Sequence, residues 1–120
     1  MRKNVAFEKS LAFAVKIVEL SDFLQHSYND YVLSRQILKS GTSIGANLRE
    51  SQNAQSIDDF ISKLSISLKE ANETYYWLEL LHLSHKIESQ YYNSMIQELN
   101  EIIAILVSSI KTSKNNKPTK

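Results

Sequence analysis

The sequence predicts an all-α protein, an up-down-up-down antiparallel four-helix bundle. Three observations predict it. Only 2 of the 120 residues are glycine and 1 is proline, against about eight and about six at average usage. Sandwiches, barrels and Rossmann-type folds need both residues at their turns. The single proline, Pro118, stands near the C-terminus, so the residues before it contain no obligatory helix break. Apolar residues recur at helical spacing through four segments parted by short polar stretches.

The first helix is expected over about residues 4–25, with Asn4 as N-cap. It carries two apolar stripes, Phe7, Leu11, Ala14 and Val18, then Phe13, Ile17, Leu20 and Leu24. At about 100° per residue they lie about 120° apart, wider than the stripe of a simple surface helix. One four-helix core uses about one stripe per helix, so the second of these, Phe13 to Leu24, is assigned to a contact between subunits. Residues 26–30 read as a short connection.

A second helix is expected over about 30–53, with Leu33, Ile37, Ile44 and Leu48 on one face and small residues filling the gap near Ser40 and Gly41. The third, about 56–85, opens on Ser56-Ile-Asp-Asp59, close to a capping box. Ile57, Phe60, Ile61, Leu64, Leu68, Ala71, Tyr75 and Leu78 follow at helical spacing. Over residues 75–83 the helix is apolar almost all round, so Tyr76, Trp77, Leu80 and Leu81 join the expected subunit contact. The fourth, about 89–111, carries Tyr92, Met95, Ile96, Leu99, Ile102, Ile103, Leu106 and Ile110. Residues 1–110 thus form one bundle domain, followed by a basic, disordered tail over 111–120.

Composition narrows the function. With 42% hydrophobic and 22% charged residues the chain is globular. The absence of cysteine rules out disulfides, thiolate metal sites and a cysteine nucleophile, and suits a reducing cytoplasm. Glu8 and Lys9 interrupt what a signal peptide needs, and the longest aliphatic run, 102–107, is far short of the about 18 residues of a spanning helix. A cytoplasmic location without membrane contact is expected. Net charge is +1, but Lys111, Lys114, Lys117 and Lys120 place four cations and no acid in the last ten residues, leaving residues 1–110 at −3. A solvated tail accounts for this; the alternative is nucleic-acid contact through Arg2, Lys3, Arg35, Lys39, Arg49 and the tail lysines.

Each candidate chemistry lacks a necessary part. Gly41-Thr-Ser43-Ile-Gly45 matches the nucleophile-elbow pattern, yet its flanks have helical period where that chemistry needs a strand and a parallel sheet. Glu79-x-x-His82 is half of a di-iron bundle motif with no second copy, and neither His85 nor His26 completes it. The aromatics at Tyr75, Tyr76, Trp77, Tyr91 and Tyr92 lack the interleaved Lys and Arg of a single-strand stacking platform. No catalytic residue, cofactor, metal or small-molecule substrate is expected. Ser43, Asn47 and Glu50 recur at i, i+4 and i+7, along the edge of the apolar stripe. They read as a hydrogen-bond network setting helix register, near Lys69, Glu70 and Glu73, or alternatively as a binding surface. Gly41 and Gly45 fall inside the second helix, where each costs about 1 kcal/mol against Ala, which points to close approach of a neighbouring helix.

Ser43-Ile-Gly-Ala-Asn47-Leu-Arg-Glu50, then Phe60-x-x-x-Leu64-x-Ile66, then Glu70-Ala-Asn-Glu73-Thr-Tyr-Tyr-Trp77 resembles the four-helix-bundle proteins of the 23S rRNA intervening-sequence family. Ser43, Ile44, Asn47, Glu50, Phe60, Leu64 and Glu73 carry the resemblance. It implies a small bundle that assembles with itself into rings, typically pentamers, and kinship with the accessory proteins of diversity-generating retroelements, which work with RNA. The expectation is a non-enzymatic, ring-forming interaction or scaffold protein; the alternative is an RNA- or DNA-binding accessory protein.

Overall fold

The structure is a computed structural model that describes residues 4–118. Helix α1 spans Val5–Tyr28, α2 Tyr31–Ser51, α3 Ile57–Leu83 and α4 Ser89–Asn115. They pack as an antiparallel all-α bundle, 54 × 26 × 21 Å, in which sequential helices are the closest neighbours and α1 touches α4 least. Among the described residues there is no strand, and no helix is long and apolar enough to cross a membrane.

Three helix starts rest on short side chains that accept from backbone amides left without helical partners. Asn4 Oδ1 accepts from Phe7 N (2.9 Å), Asp30 Oδ1 from Leu33 N (2.8 Å) and Ser56 Oγ from Asp59 N (3.0 Å). Asp59 Oδ2 returns to Gln55 N rather than to Ser56, so the capping box is displaced by one residue.

Two corrections apply to the helix ends. Residues 26–28 belong to α1, and only Asn29 and Asp30 connect it to α2. Asn29 adopts φ 52°, and the Asn29 and Asp30 amides donate back to Gln25 O and Leu24 O, a left-handed cap that lets the helix run to its last residue. Helix α4 continues to Asn115, so Lys111 and Lys114 stand on a helix and not on a disordered tail.

His85 takes the same left-handed role after α3, with φ 62°, while Lys86 N donates to Leu81 O (2.9 Å). No described glycine has positive φ. Two of the three corners therefore turn on Asn or His in place of glycine, and both glycines stand inside α2.

The core holds Phe13, Ile17, Leu20 and Leu24 from α1, Ile37, Ile44 and Leu48 from α2, Leu64, Ala71, Leu78 and Leu81 from α3, and Met95, Leu99, Ile102 and Leu106 from α4. At one end, Lys86 Nζ reaches Asp30 Oδ2 at 2.5 Å and ties the α3–α4 turn to the α1–α2 turn. Burial opposes ionisation of Asp30, but the Lys86 ammonium and the Leu33 amide outweigh it and hold its carboxyl below the usual carboxylate range.

Candidate functional site

The α1–α2 contact is built around the two glycines. A Cβ on Gly41 would lie 2.8 Å from both Cγ atoms of Ile17, and one on Gly45 would lie 3.0 Å from Ser10 Oγ. Both glycines are buried and face α1. Small hydroxyl residues extend the same close packing. Ser21 Oγ donates to Ser34 O (3.2 Å) across α1 and α2, and Gln25 Nε2 donates to Ser34 Oγ (3.2 Å). Between α2 and α3, Ser67 Oγ donates to Ile44 O (2.8 Å). Thr74 Oγ1 lies 2.9 Å from Ser40 Oγ and 2.8 Å from Glu70 O, its single proton serving one acceptor at a time.

These buried residues, and not the expected strip, connect the helices. Ser43 Oγ donates to Lys39 O (2.6 Å) and Asn47 Nδ2 to Ser43 O (2.8 Å), both within α2. Glu50 meets only Lys63 of α3, at 3.9 Å on the surface. The inter-helix network expected of Ser43, Asn47 and Glu50 is therefore corrected: two of the three satisfy themselves on their own helix. Glu73 is exposed, whereas Phe60 is half-buried, and Ile44 and Leu64 are core. The buried serines were missed in the sequence because hydroxyls score as polar. The signal was there in Ser34, Ser40, Gly41 and Ser51, small residues recurring along the face of Ile37, Ile44 and Leu48.

The two stripes of α1 exchange roles. Phe13, Ile17 and Leu24 are 0% exposed and Leu20 is 3% exposed, all within a single chain, so they are not available to a partner. The outward stripe is the other one, where Leu11 and Val18 are 53% and 44% exposed beside half-buried Phe7 and Ala14, and the structure adds Val15, 56% exposed and assigned to neither stripe from the sequence. The reason lies in their neighbours. Ile17 sits in the recess over Gly41, and Lys9 and Lys16 flank the buried stripe and pair with Glu101 (2.8 Å) and Glu98 (2.6 Å) of α4. The Lys9 ammonium keeps the Glu101 carboxyl below its ordinary range.

The apolar girdle of α3 divides. Leu81 is core, Trp77 and Leu80 are half-buried and Tyr76 is exposed, its ring edge-on to Trp77 at 5.1 Å. Trp77 Nε1 is buried without a hydrogen-bond partner among the described residues.

Of the candidate cations, Arg35, Lys39 and Arg49 stand exposed on α2, where Arg49 covers the Phe7 ring at 4.4 Å. Lys111 and Lys114 are exposed on α4, and Lys117 pairs with Asp58 at 2.6 Å. Arg2, Lys3 and Lys120 lie outside the described residues. Ser43 is mid-helix with no turn before it, and His82 stacks on Tyr92 (4.3 Å, 7°) with Nε2 3.0 Å from Ser89 Oγ. Among the described residues no three His, Asp or Glu side chains are grouped to share a metal.

A small antiparallel four-helix bundle with an apolar outer stripe is the class of protein these features define. The chain belongs to the 23S rRNA-intervening sequence protein family, whose profile matches residues 2–108. It is similar to a protein of unknown function from the S23 ribosomal protein family of Bacteroides thetaiotaomicron VPI-5482. That crystal structure is 54% identical, covering 88% of this chain and 98% of the other, with a TM-score of 0.87. No curated protein matches the sequence.

Proposed function

We propose that the chain is a non-enzymatic, homo-oligomeric scaffold whose subunits meet through the outward stripe of α1. The observation that carries this reading is the row of Leu11, Val15 and Val18, three large apolar side chains at helical spacing and each about half exposed after the single chain has folded. If the stripe meets a different surface on the next subunit, the contact closes into a ring, and five subunits is the size the family resemblance suggests.

Size exclusion coupled to light scattering tests it. The wild type is expected at a multiple of 13.8 kDa, and Val15→Glu/Val18→Glu at one subunit. The melting transition of that variant's monomer should change little, because surface substitutions usually stay within about 0.5 kcal/mol. A wild type that elutes as a single subunit at micromolar concentration overturns the proposal.

A second reading, nucleic-acid binding as an accessory protein, is favoured by one feature. Arg35, Lys39 and Arg49 face solvent on α2, which carries only Glu50 as an acid. Kinship with the retroelement accessory proteins would fit this use. Its signature is affinity for a single-stranded RNA that falls steeply over a fourfold rise in salt and weakens when residues 111–120 are deleted. Salt-independent affinity removes it.

A further inference from the structure

A groove of about 1030 Å³ opens at one end of the bundle, between α1 and the α3–α4 turn. Its walls come from the last turns of α1, the α3–α4 turn and the first turn of α4. Leu20, Leu83 and Ile87 supply aliphatic surface, and Phe23, Tyr28 and Tyr91 supply three aromatic rings. Phe23 and Tyr28 stand edge to face, 5.9 Å apart. The volume matches that of small-molecule sites, which combine apolar walls with a few placed polar groups.

The acids lining this groove are Glu19 and Glu88, and its bases are His82, His85 and Lys86. Lys86 is paired with Asp30, and the His82 ring is stacked on Tyr92 and hydrogen-bonded to Ser89. Glu19 and Glu88 have no cationic side chain within 4.0 Å among the described residues. Glu88 stands at the N-cap position of α4 without capping it, so its carboxylate is left to solvent. Tyr91 is near enough to Glu19 to feel its charge. Burial, with the charges of Glu19 and Glu98, pushes its phenol up to about 12. Lys86 Nζ itself lies 5.8 Å from the centroid of the Tyr28 ring, which leaves the Phe23 and Tyr91 rings for a ligand cation.

The geometry points to a binding site for a small amphiphilic organic cation, a quaternary ammonium on an apolar body. The apolar body lies against Leu20, Leu83 and Ile87. The ammonium is held between the Glu19 and Glu88 carboxylates and the aromatic rings, where Coulomb and cation–π attraction act together. None of these residues belongs to the outward stripe of α1, so the groove stands whether or not the chain self-associates there.

Titration calorimetry on the full chain, with octyltrimethylammonium below its micelle-forming concentration as the probe, tests the inference. Octyl sulfate and acetyl-lysine-methylamide serve as controls. Saturable binding at one probe per chain is expected, with octyl sulfate at least about tenfold weaker. Glu19→Gln/Glu88→Gln should weaken the ammonium at least about tenfold and leave octyl sulfate no weaker than before. Phe23→Ala should weaken it too, with both variants melting as the wild type does. Equal affinity for octyl sulfate overturns the proposal by reducing the groove to bare apolar surface. So does equal affinity for acetyl-lysine-methylamide, which makes the occupant a lysine side chain of a protein partner. The absence of saturable binding overturns it outright.

Discussion

Gly41→Leu is expected to destabilise the bundle by roughly 3 kcal/mol or more, the upper end of overpacking costs, and to lower the melting temperature by roughly 10 °C for a domain of this size. Even a Cβ at this position would lie 2.8 Å from Ile17 Cγ1 and Cγ2 and 3.2 Å from its Cβ. Ile17 is fully buried and branched at that carbon, so it has no empty rotamer to move into. Two further variants separate packing from helix propensity. Gly41→Ala gains about 1 kcal/mol of propensity but meets the same clash, and a net loss of about 1 kcal/mol is expected. Gly45→Ala gains the same propensity and meets only Ser10 Oγ at 3.0 Å, the end of a short side chain, so its net effect should stay within about 0.5 kcal/mol. Thermal melts and light scattering read all three. If Gly41→Leu changes neither melting temperature nor mass, close packing at Gly41 is not what holds α1 on α2.

Asp30→Ala is expected to cost about 2 kcal/mol near neutral pH, the sum of a lost N-cap and a lost, mostly buried charge-assisted hydrogen bond. The Asp30 carboxylate accepts from Leu33 N at the start of α2 and from Lys86 Nζ, and its side chain is only 9% exposed. The pH dependence has a definite sign. The folded-state carboxyl sits below its ordinary range, so in the acidic window the unfolded chain binds more protons than the folded one. Stability from this group is complete above the unfolded value of about 4 and is lost as pH falls through the folded value. Urea unfolding should therefore show the full gap between wild type and Asp30→Ala at pH 7 and a smaller gap near pH 3. A gap of equal size at both pH values would mean that ionisation of Asp30 contributes nothing.

These two sites differ in how far they could be read before the fold. Gly41 and Gly45 drew attention as glycines inside a helix, an anomaly visible in a string of letters. That Gly41 faces Ile17 could not be read there, because it depends on how two helices register. Asp30 was placed at the start of the second helix, but its partner stands 56 residues further along, and no local pattern links them. The strip of Ser43, Asn47 and Glu50 was legible as a row and misleading as a network. A hydroxyl or amide on a helix can satisfy itself on the preceding turn, and Ser43 and Asn47 do so. Ser34 and Ser40 share the apolar face of α2, which marks them for burial, but nothing local pairs them with Ser21, Gln25 or Thr74 on the neighbouring helices. The groove at the bundle end was not legible either, because its walls come from two segments far apart in sequence, 19–28 and 82–91.

The chain-local features determined the class: four helices, three of their starts, their antiparallel order and a bundle core. Periodicity, capping and the scarcity of turn residues act over a few residues, and short connections leave antiparallel packing as the outcome. Which stripe of α1 lies inside was decided only by the tertiary structure. Both stripes are apolar, so burial of either would satisfy the hydrophobic effect to a similar degree. The difference lies between helices, in the recess over Gly41 that fits Ile17 and in the α4 acids placed opposite Lys9 and Lys16. Those energies exist only once the helices are side by side, and they put Phe13, Ile17, Leu20 and Leu24 in the core and leave Leu11, Val15 and Val18 facing out.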